Sequence, residues 1–382
     1  MRVRRCGIVM LEPAERVEFD LARLADGGLY KIIDWTAFAP HLGQAVTLAP
    51  AEAMALGEVS PSDWIEPSEL PGDILGSLLA KGLLVEEGSE ADARDQRVRG
   101  TDWRPTAAVM HFASRWRAAE TEELQQQFIE KYQDELLDHL GPAPPAVRER
   151  ASSANRVTLP PAARSPLDAL LDGRVTCRNF DKERALTKAD FAAVLYRAFG
   201  ARAVDDYAPG VELLKKGVPS AGGLHPTEAY LLVRRVDDVE PGLYHYHPVD
   251  HALEPIRTLS LDEATALARR FVGAQPYLLD AQVFVIPTSR FRRNFWKYRN
   301  HAKSYRALIL DIGHISQTLY LAATELGLAA FITAAVNEVD IEAAFGLDPL
   351  EEGPLAVSGF GIRAAGKSEV EFDPLHKVWP AV

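Results

Sequence analysis

The sequence predicts a fold of mixed helices and strands, divided into more than one domain. Three observations support this prediction. The length of 382 residues suggests two or three domains. Proline-rich breaks at residues 141–145 and 159–162 divide the chain into an N-terminal and a C-terminal part, because proline disfavours helix interiors. After the second break, segments with helical and strand-like patterns alternate.

Composition and charge narrow the class of protein. The chain is 47% hydrophobic and 25% charged, as soluble globular proteins are. Cys6 and Cys177 are the only cysteines, which excludes a disulfide framework or a multi-cysteine zinc site and fits a reducing cytosol. The net charge of -12 argues against nonspecific nucleic-acid binding. Without a long apolar run or a good signal peptide, we expect a cytoplasmic protein with no membrane partner.

The N-terminal part contains two helical patterns. Residues 73–81 carry apolar side chains at helical spacing, Gly82 is suited to end that helix, and residues 83–85 are strand-like. Helix, glycine and short strand are typical of a winged-helix module and of many other α+β units. Residues 107–140 form a long and largely polar helical stretch. We expect it to be a surface helix or an arm against another subunit.

Helices and strands follow in order along the C-terminal part. Thr187–Asp190 resembles a capping box with Asp in place of the usual Glu, and the helix that it begins should end at Gly200. Residues 305–326 carry apolar side chains in steps of three and four, which predicts a helix buried nearly all round in a domain or dimer core. The predicted strands are residues 230–233, 243–247, 283–286, 331–336 and 355–360.

Two segments have the chemistry of a phosphate or cofactor site. Arg174, Thr176 and Arg178 alternate in an extended segment, so their side chains would point the same way and could grip a phosphate. Two solvated surface arginines would give the same pattern. The loop Pro219–Pro226 holds Ser-Ala-Gly-Gly, whose bare backbone N–H groups could approach a phosphate or a flat polar ring. An ordinary turn before a strand is the alternative.

Three further sets of polar residues are candidates for chemistry. His245, His247 and His251 could suggest zinc, but no cysteine or acidic cluster accompanies them, which favours a polar strand end. Lys297 and Tyr298 are adjacent titratable groups that could serve as a general base, or belong to a basic loop at a helix start. The third set lies on the predicted helix 305–326 and consists of Asp311, His314 and Gln317. We expect these residues to anchor the helix or brace the site.

Taken in order, five motifs resemble those of the SagB-type dehydrogenases, which are FMN enzymes of the nitroreductase superfamily. The motifs are Arg174-x-Thr176-x-Arg178, the loop Pro219–Pro226, Gly242–Tyr246, Lys297-Tyr298 with Tyr305-Arg306, and Gly313-His314-x-x-Gln317. The resemblance covers residues 165–365. It implies an α+β sandwich that binds FMN and is usually a homodimer, with the flavin sites at the subunit interface.

The resemblance also implies a role for each motif. It places Arg174, Thr176 and Arg178 on the FMN phosphate and ribityl chain. It makes Lys297 and Tyr298 the catalytic pair, which removes a proton while hydride passes to flavin N5. The residues implied to lie along the isoalloxazine ring are Pro219, Ser220, Ala221, Gly222 and Gly223. A clear second basic cluster for the phosphate is missing near the C-terminus, where Arg363 is the one reasonable candidate.

The implied activity is oxidation of azoline rings to azoles in a ribosomally made peptide. The implied partners are the precursor peptide, a second copy of the chain and other peptide-modifying enzymes. The predicted domains are residues 1–100, a winged-helix-like region and candidate peptide-binding region; residues 101–160, a helical arm and linker; and residues 161–382, the FMN domain. Two alternatives stay open: an NAD(P)H-dependent reductase of dehydroamino acids or of nitro or quinone compounds, and a non-catalytic scaffold for a precursor peptide.

Overall fold

The structure, a computed structural model, describes residues 2–121, 144–150, 152 and 155–380. The chain divides into two compact units. Unit 1 comprises Met1–Arg115, Arg290–Ile309 and Asp348–Gly353, and unit 2 comprises Trp116–Ser289, Leu310–Leu347 and Pro354–Val382. Each unit therefore gathers stretches that are far apart in the sequence. The boundaries 1–100, 101–160 and 161–382 stay predictions.

The described helices and strands are numbered here in chain order. The helices are α1 (Pro50–Glu58), α2 (Gly72–Ala80), α3 (Glu90–Arg99), α4 (Pro105–Ala113), α5 (Pro166–Gly173), α6 (Lys188–Phe199), α7 (Leu261–Phe271), α8 (Phe291–Tyr298), α9 (Ser304–Glu325) and α10 (Glu338–Phe345). The strands are β1 (Val3–Arg5), β2 (Met10–Phe19), β3 (Leu29–Phe38), β4 (Val46–Leu48), β5 (Leu84–Glu86), β6 (Ala201–Ala208), β7 (Val211–Lys216), β8 (Thr227–Val233), β9 (Gly242–His247), β10 (Ala252–Thr258), β11 (Val283–Arg290), β12 (Ala329–Thr333), β13 (Glu352–Pro354) and β14 (Val357–Gly361).

Unit 1 contains two small antiparallel sheets. Strands β2, β3 and β4 form one sheet, and β1 pairs with β5 in the other. The predicted helix, glycine and strand of this region are confirmed as α2, Gly82 and β5. Gly82 has φ +69°, and the amide of Leu83 donates to the carbonyl of Leu78 at 3.0 Å, which closes the end of α2.

A buried network of charges ties the first strand of unit 1 to α3. Arg4 Nη2 lies 2.7 Å from Asp92 Oδ1 and 3.2 Å from Asp95 Oδ2, and Arg99 Nε donates to Asp95 at 2.5 Å. The amide of Gly7 donates to the other oxygen of Asp95 at 2.7 Å. Because Asp95 is fully buried, its charge depends on these partners.

Unit 2 is a three-layer sandwich around an antiparallel sheet. The strand order is β10-β9-β8-β11-β14-β12, and β13 pairs with β11. Alternate residues of β11 point to opposite faces of the sheet: Val283 and Val285 pack in the core that includes α6 and α9, whereas Phe284 and Ile286 pack in the core that includes α7 and α10. The α+β prediction is confirmed.

Most elements predicted for the C-terminal part are confirmed. The five predicted strands correspond to β8, β9, β11, β12 and β14. Helix α6 begins as predicted, because Thr187 Oγ1 accepts a hydrogen bond from the amide of Asp190 at 3.1 Å, and Gly200 follows its last residue. The hairpin β6–β7 and the edge strand β10 were not predicted. Their side chains are largely exposed and lack a clear apolar alternation.

The prediction of one helical stretch over residues 107–140 is wrong in its first part. Helix α4 ends at Ala113, and Ala118 has φ +51°. The amides of Trp116, Ala118 and Ala119 donate instead to Glu338, Asp340 and Asn337 at the start of α10, at 2.7 to 2.8 Å. Those amides are therefore not available to a helix. Residues 122–140 lie outside the described residues, as do 141–143 of the first proline-rich break.

Helix α9 is confirmed at Ser304–Glu325, but the single chain buries only part of its surface. Leu308, Ile312, Ile315 and Leu319 are buried, whereas Leu310 is 63% exposed. Burial all round would therefore need a second subunit, which stays a prediction. No helix in the described ranges has both the length and the apolar character needed to cross a bilayer.

We predict that Asp95→Ala lowers the free energy of unfolding by about 3–5 kcal/mol, because it leaves the buried Arg4 guanidinium undercompensated. Urea unfolding followed by circular dichroism measures the change. The control is Glu15→Ala, which breaks an exposed pair with Lys31 and should cost no more than about 1 kcal/mol. Equal effects of the two substitutions would contradict the structural role of Asp95.

Candidate functional site

The segment Arg174–Arg178 runs beside the edge of the unit 2 sheet. Thr176 forms a parallel bridge with Ala330 of β12, and the amide of Cys177 donates to the carbonyl of Ala330 at 2.9 Å. Val175 and Cys177 are buried, whereas Arg174, Thr176 and Arg178 lie on the opposite, more exposed side. The predicted alternation is therefore present. Two arginines and a threonine, whose side chains are suited to bind phosphate, share one side of the segment.

Two tyrosines lie against this segment. Thr176 Oγ1 is 3.0 Å from the hydroxyl of Tyr320 on α9, and the Arg174 guanidinium carbon lies 5.3 Å from the centre of the same ring. Burial raises the pKa of Tyr320, so its hydroxyl keeps its proton at neutral pH. The Arg178 guanidinium lies 4.9 Å from the ring centre of Tyr277. Both arginines are thus oriented by aromatic faces while their charge is retained.

The loop Pro219–Gly223 makes a single tight turn over Ala221–Gly223. Gly222 and Gly223 have φ +61° and +69°, a conformation that favours glycine. A Cβ at Gly223 would meet no atom within 4 Å, so the space beside this residue is open. Glycine is therefore required here by the backbone angle, and a flat group could approach the turn.

Asp311 of α9 holds this loop in place. Ser220 Oγ donates to Asp311 Oδ2 at 2.5 Å, and the amide of Ala221 donates to Oδ1 at 3.2 Å. Asp311 is 3% exposed, and this burial raises the pKa of its carboxyl group. Bracing by Asp311 agrees with the sequence analysis. His314 and Gln317 are exposed in the single chain, and a bracing role for them stays a prediction.

Glu371 is a residue that the sequence analysis did not identify. Its Oε1 accepts from the amides of Arg178 (2.6 Å) and Asn179 (3.0 Å) and from Asn179 Nδ2 (2.8 Å). Its Oε2 accepts from Trp379 Nε1 at 2.7 Å and from Arg363. Burial acts to raise the pKa of Glu371, but the hydrogen bonds and Arg363 hold it below the ordinary value.

Arg363 interacts with the buried carboxylate of Glu371. Besides Glu371, its guanidinium contacts the carbonyl of Val175 at 3.4 Å. The side chain is 16% exposed, and that of Glu371 is fully buried. These contacts tie the C-terminal segment to the segment Arg174–Arg178. A direct contact of Arg363 with a cofactor phosphate stays a prediction.

Lys297 and Tyr298 end helix α8 in unit 1. Lys297 is exposed, and its Nζ lies 5.7 Å from the ring centre of the half-buried Tyr298. Trp103 holds the buried side of α8, with ring centres 4.7 Å from those of both Phe291 and Phe295. The predicted pair is therefore anchored through its helix, and its position relative to the cofactor residues stays a prediction.

A second aromatic contact supports the same region of unit 1. His111 Nδ1 lies 3.0 Å from the hydroxyl of Tyr305, and the His111 ring stacks on Trp103 at 5.2 Å. Burial lowers the pKa of His111 to about 3, so the ring is neutral. The sequence analysis missed both Trp103 and His111, because Phe291, Phe295 and Tyr305, which they contact, lie almost 200 residues away in the sequence.

The three histidines of strand β9 and its turn have separate partners. His245 Nδ1 lies 2.6 Å from Glu254, His247 Nδ1 accepts from the amide of Asp250, and His251 Nδ1 lies 2.7 Å from the hydroxyl of Tyr246. Within the described ranges, no group of three His, Cys, Asp or Glu side chains is placed to hold a metal ion.

Helix α9 connects the two cofactor-like segments of unit 2. It carries Asp311, which holds the loop Pro219–Gly223, and Tyr320, which contacts Arg174 and Thr176. The two residues are nine positions apart, or about 13.5 Å along a helix axis. Guanidinium groups, a hydroxyl and an open glycine turn match the phosphate and ring of a flavin mononucleotide, so the residues present fit FMN.

Comparisons with known proteins identify the family of this chain. The sequence profile of the nitroreductase family matches residues 171–362, which is half of the chain. The trifolitoxin-processing protein TfxB of Rhizobium leguminosarum bv. trifolii is 36% identical over 167 residues, covering 42% of this chain and 43% of that protein. The microcin B17-processing protein McbC of Escherichia coli is 27% identical over 188 residues, covering 48% of this chain and 65% of that protein.

One solved structure is among those similar to this chain. A chain of the E. coli microcin synthetase McbBCD complex with truncated pro-MccB17 bound has a TM-score of 0.45 and 23% identity to this chain. The match covers 72% of this chain and 92% of that one. Against the two curated relatives, the chain spans less than two thirds of their length.

We predict that Glu371→Gln loses a pH-dependent part of the stability. Because the folded-state pKa of Glu371 lies below its ordinary value of 4.5, its contribution is present above that value and is lost as the pH falls through the folded pKa. The difference in free energy of unfolding between wild type and Glu371→Gln should therefore shrink on acidification, as measured by urea unfolding across that range. Exposed Glu369→Gln is the control. A difference independent of pH would contradict the ionised state of Glu371.

Proposed function

We propose, on the premise that this chain belongs to the nitroreductase family, that it is an FMN-dependent dehydrogenase that oxidises azoline rings to azoles in a ribosomally made peptide. The observation that carries the proposal is that one helix, α9, contacts both the segment Arg174–Arg178, through Tyr320, and the open glycine turn, through Asp311. The names of TfxB and McbC, which process trifolitoxin and microcin B17, support a peptide as the substrate. Partner peptide-modifying enzymes are part of the same proposal.

The cofactor residues of the proposal are those predicted from the sequence. Arg174 and Arg178 bind the phosphate through their guanidinium groups, and the Thr176 hydroxyl adds a hydrogen bond. The backbone of Ser220–Gly223 lies along the ring system, held there by Asp311. FMN, when bound, supplies the hydride acceptor. Arg363 acts on the phosphate segment through Glu371 and through Val175.

The proton that the oxidation releases is accepted by a side chain of this protein. Removing a hydride from an azoline leaves a cation that becomes aromatic when it loses a proton. Lys297 is exposed to an incoming substrate and Tyr298 is its neighbour, so this pair takes the proton at Lys Nζ or Tyr Oη. Two hydrogens leave the peptide in total: one as hydride and one as a proton.

The active form in this proposal is a homodimer in the cytoplasm. Leu310 is 63% exposed and Ile309 is 47% exposed on α9, and an apolar helix surface of this kind is covered favourably by a second copy. Cys6 and Cys177 are free and buried, and burial raises the pKa of each thiol to about 12. Unreactive thiols in this state suit a reducing compartment.

The cofactor and the base are tested together with Lys297→Ala. We predict that the purified wild type shows flavin absorbance and removes two hydrogens from its peptide, as detected by mass spectrometry. Lys297→Ala should keep the flavin and lose turnover by about a hundredfold or more, because a general base contributes 10²–10⁴-fold. Lys303→Ala is the matched control.

Other outcomes would replace this function. Full activity of Lys297→Ala on a verified peptide would remove the assigned base. Colourless wild-type protein that cannot take up added FMN would favour the scaffold. Reduction of bound flavin by NADPH under anaerobic conditions, without peptide, would favour the reductase.

The dimer is tested with Leu310→Glu. We predict that a charge on this surface weakens association by about thirtyfold or more, the effect of losing a 2 kcal/mol contact at an interface centre. Analytical ultracentrifugation across a concentration series measures the change. Leu24→Glu is the control, since Leu24 is similarly exposed, at 60%, in the turn between β2 and β3. A monomeric wild type, or equal effects of both substitutions, would contradict an interface at α9.

A further inference from the structure

Positive charge is concentrated around α8. Between residues 290 and 306 the sequence contains no aspartate or glutamate, although the whole chain has a net charge of -12. The basic residues of this stretch are Arg290, Arg292, Arg293, Lys297, Arg299, Lys303 and Arg306. This local excess of cations distinguishes the stretch from an acidic protein surface with mixed charges.

The helix separates these charges from its buried side. Successive residues of an α-helix are about 100° apart, so Arg292, Trp296, Arg293 and Lys297 fall, in that order, within an arc of about 140°. Arg292, Trp296 and Lys297 are exposed and Arg293 is half-buried. We call these four residues the basic face. The remaining arc holds the buried residues Phe291, Asn294 and Phe295.

The basic face is held in a fixed orientation. The rings of Phe291 and Phe295 pack against Trp103, and Asn294 Nδ2 donates to the carbonyl of Ser304 at 3.0 Å. Three of the eight residues of α8 are therefore anchored in the interior of unit 1. A rotation of α8 that buried the basic face would have to break these contacts.

A cavity of about 410 Å³ opens beside the basic face. Its lining consists of Arg290, Arg292, Arg293, Trp296, Glu351 and Glu352. The volume lies within the range of small-ligand pockets and would hold one or two amino-acid side chains. Three guanidinium groups outnumber the two carboxylates, and the exposed Trp296 adds an apolar surface. Of the lining residues, Arg292 and Trp296 are exposed members of the basic face, so an anion can reach them from solvent.

We propose that the basic face binds carboxylate side chains of an acidic peptide segment. Arginine forms paired, charge-assisted hydrogen bonds with a carboxylate, and the indole of Trp296 packs on the aliphatic part of a glutamate or aspartate. The net charge of the chain repels a polyanion as long as a nucleic acid, whereas a short acidic segment needs only the local positive field.

The inference deepens the proposed function and rests on it in one respect. Lys297 is a member of the basic face, one helical turn beyond Arg293. If Lys297 is the base, an acidic segment bound at Arg292 and Trp296 lies beside the residue that is oxidised. The substrate class is then a precursor peptide with aspartate or glutamate near its azoline.

The experiment measures binding, not turnover. Fluorescein-labelled short peptides of alternating Gly and Glu, and matched peptides with Gln in place of Glu, are titrated with the full chain, and fluorescence anisotropy is recorded. We expect the Glu peptide to bind, the Gln peptide to bind at least tenfold more weakly, and added NaCl to weaken the Glu complex. Arg292→Glu should lower the affinity for the Glu peptide about tenfold or more. Lys303→Glu changes the net charge equally, lies outside α8 and should change the affinity less than about twofold.

Three results would overturn the inference. The first is equal binding of the Glu and Gln peptides, and the second is an equal loss of affinity in Arg292→Glu and Lys303→Glu, which would mean a diffuse charge effect. The third is complete displacement of the Glu peptide by inorganic phosphate at low millimolar concentration, which would identify a phosphate site. Because no step needs flavin, a failure of the proposed oxidation would not alter the binding result.

Discussion

The candidate site depends on one buried carboxylate, that of Asp311. The turn with two adjacent left-handed glycines makes short-range hydrogen bonds of its own, including that from the amide of Gly223 to the carbonyl of Ser220 at 3.0 Å, and a contact to a helix fixes where it lies. Asp311 supplies this contact by accepting from both the hydroxyl of Ser220 and the amide of Ala221. The same helix presents Tyr320 to Thr176. The spacing between the loop Pro219–Gly223 and the segment Arg174–Arg178 is therefore set by a rigid α-helix rather than by the loops themselves.

The elements that sequence patterns predicted are those whose partners lie nearby or whose periodicity is strong. The alternation at Arg174–Arg178, the capping residue Thr187 and the apolar repeat of α9 are all local properties. Glu371 has no local pattern, and its donors at Arg178 and Asn179 lie more than 190 residues away. No sequence spacing could pair them, because only the folded sheet brings the C-terminal segment beside the segment Arg174–Arg178.

The pair Lys297-Tyr298 shows how a helix separates adjacent residues. As a dipeptide it suggests a single proton-accepting unit, but neighbours on a helix point about 100° apart. Lys297 is exposed and Tyr298 is half-buried, yet Lys297 Nζ lies 5.7 Å from the ring centre of Tyr298. The two groups therefore differ in exposure, although their side chains lie close together.

The hydrogen bonds of Glu371 also affect the order in which the protein matures. The amides of Arg178 and Asn179 gain their acceptor only after 193 and 192 further residues have been synthesised. Throughout that interval, the segment Arg174–Arg178 lacks the carboxylate that fixes its backbone. The backbone contacts of this segment are therefore completed only after residue 371 has been translated, and a fragment that stops short of it lacks their acceptor.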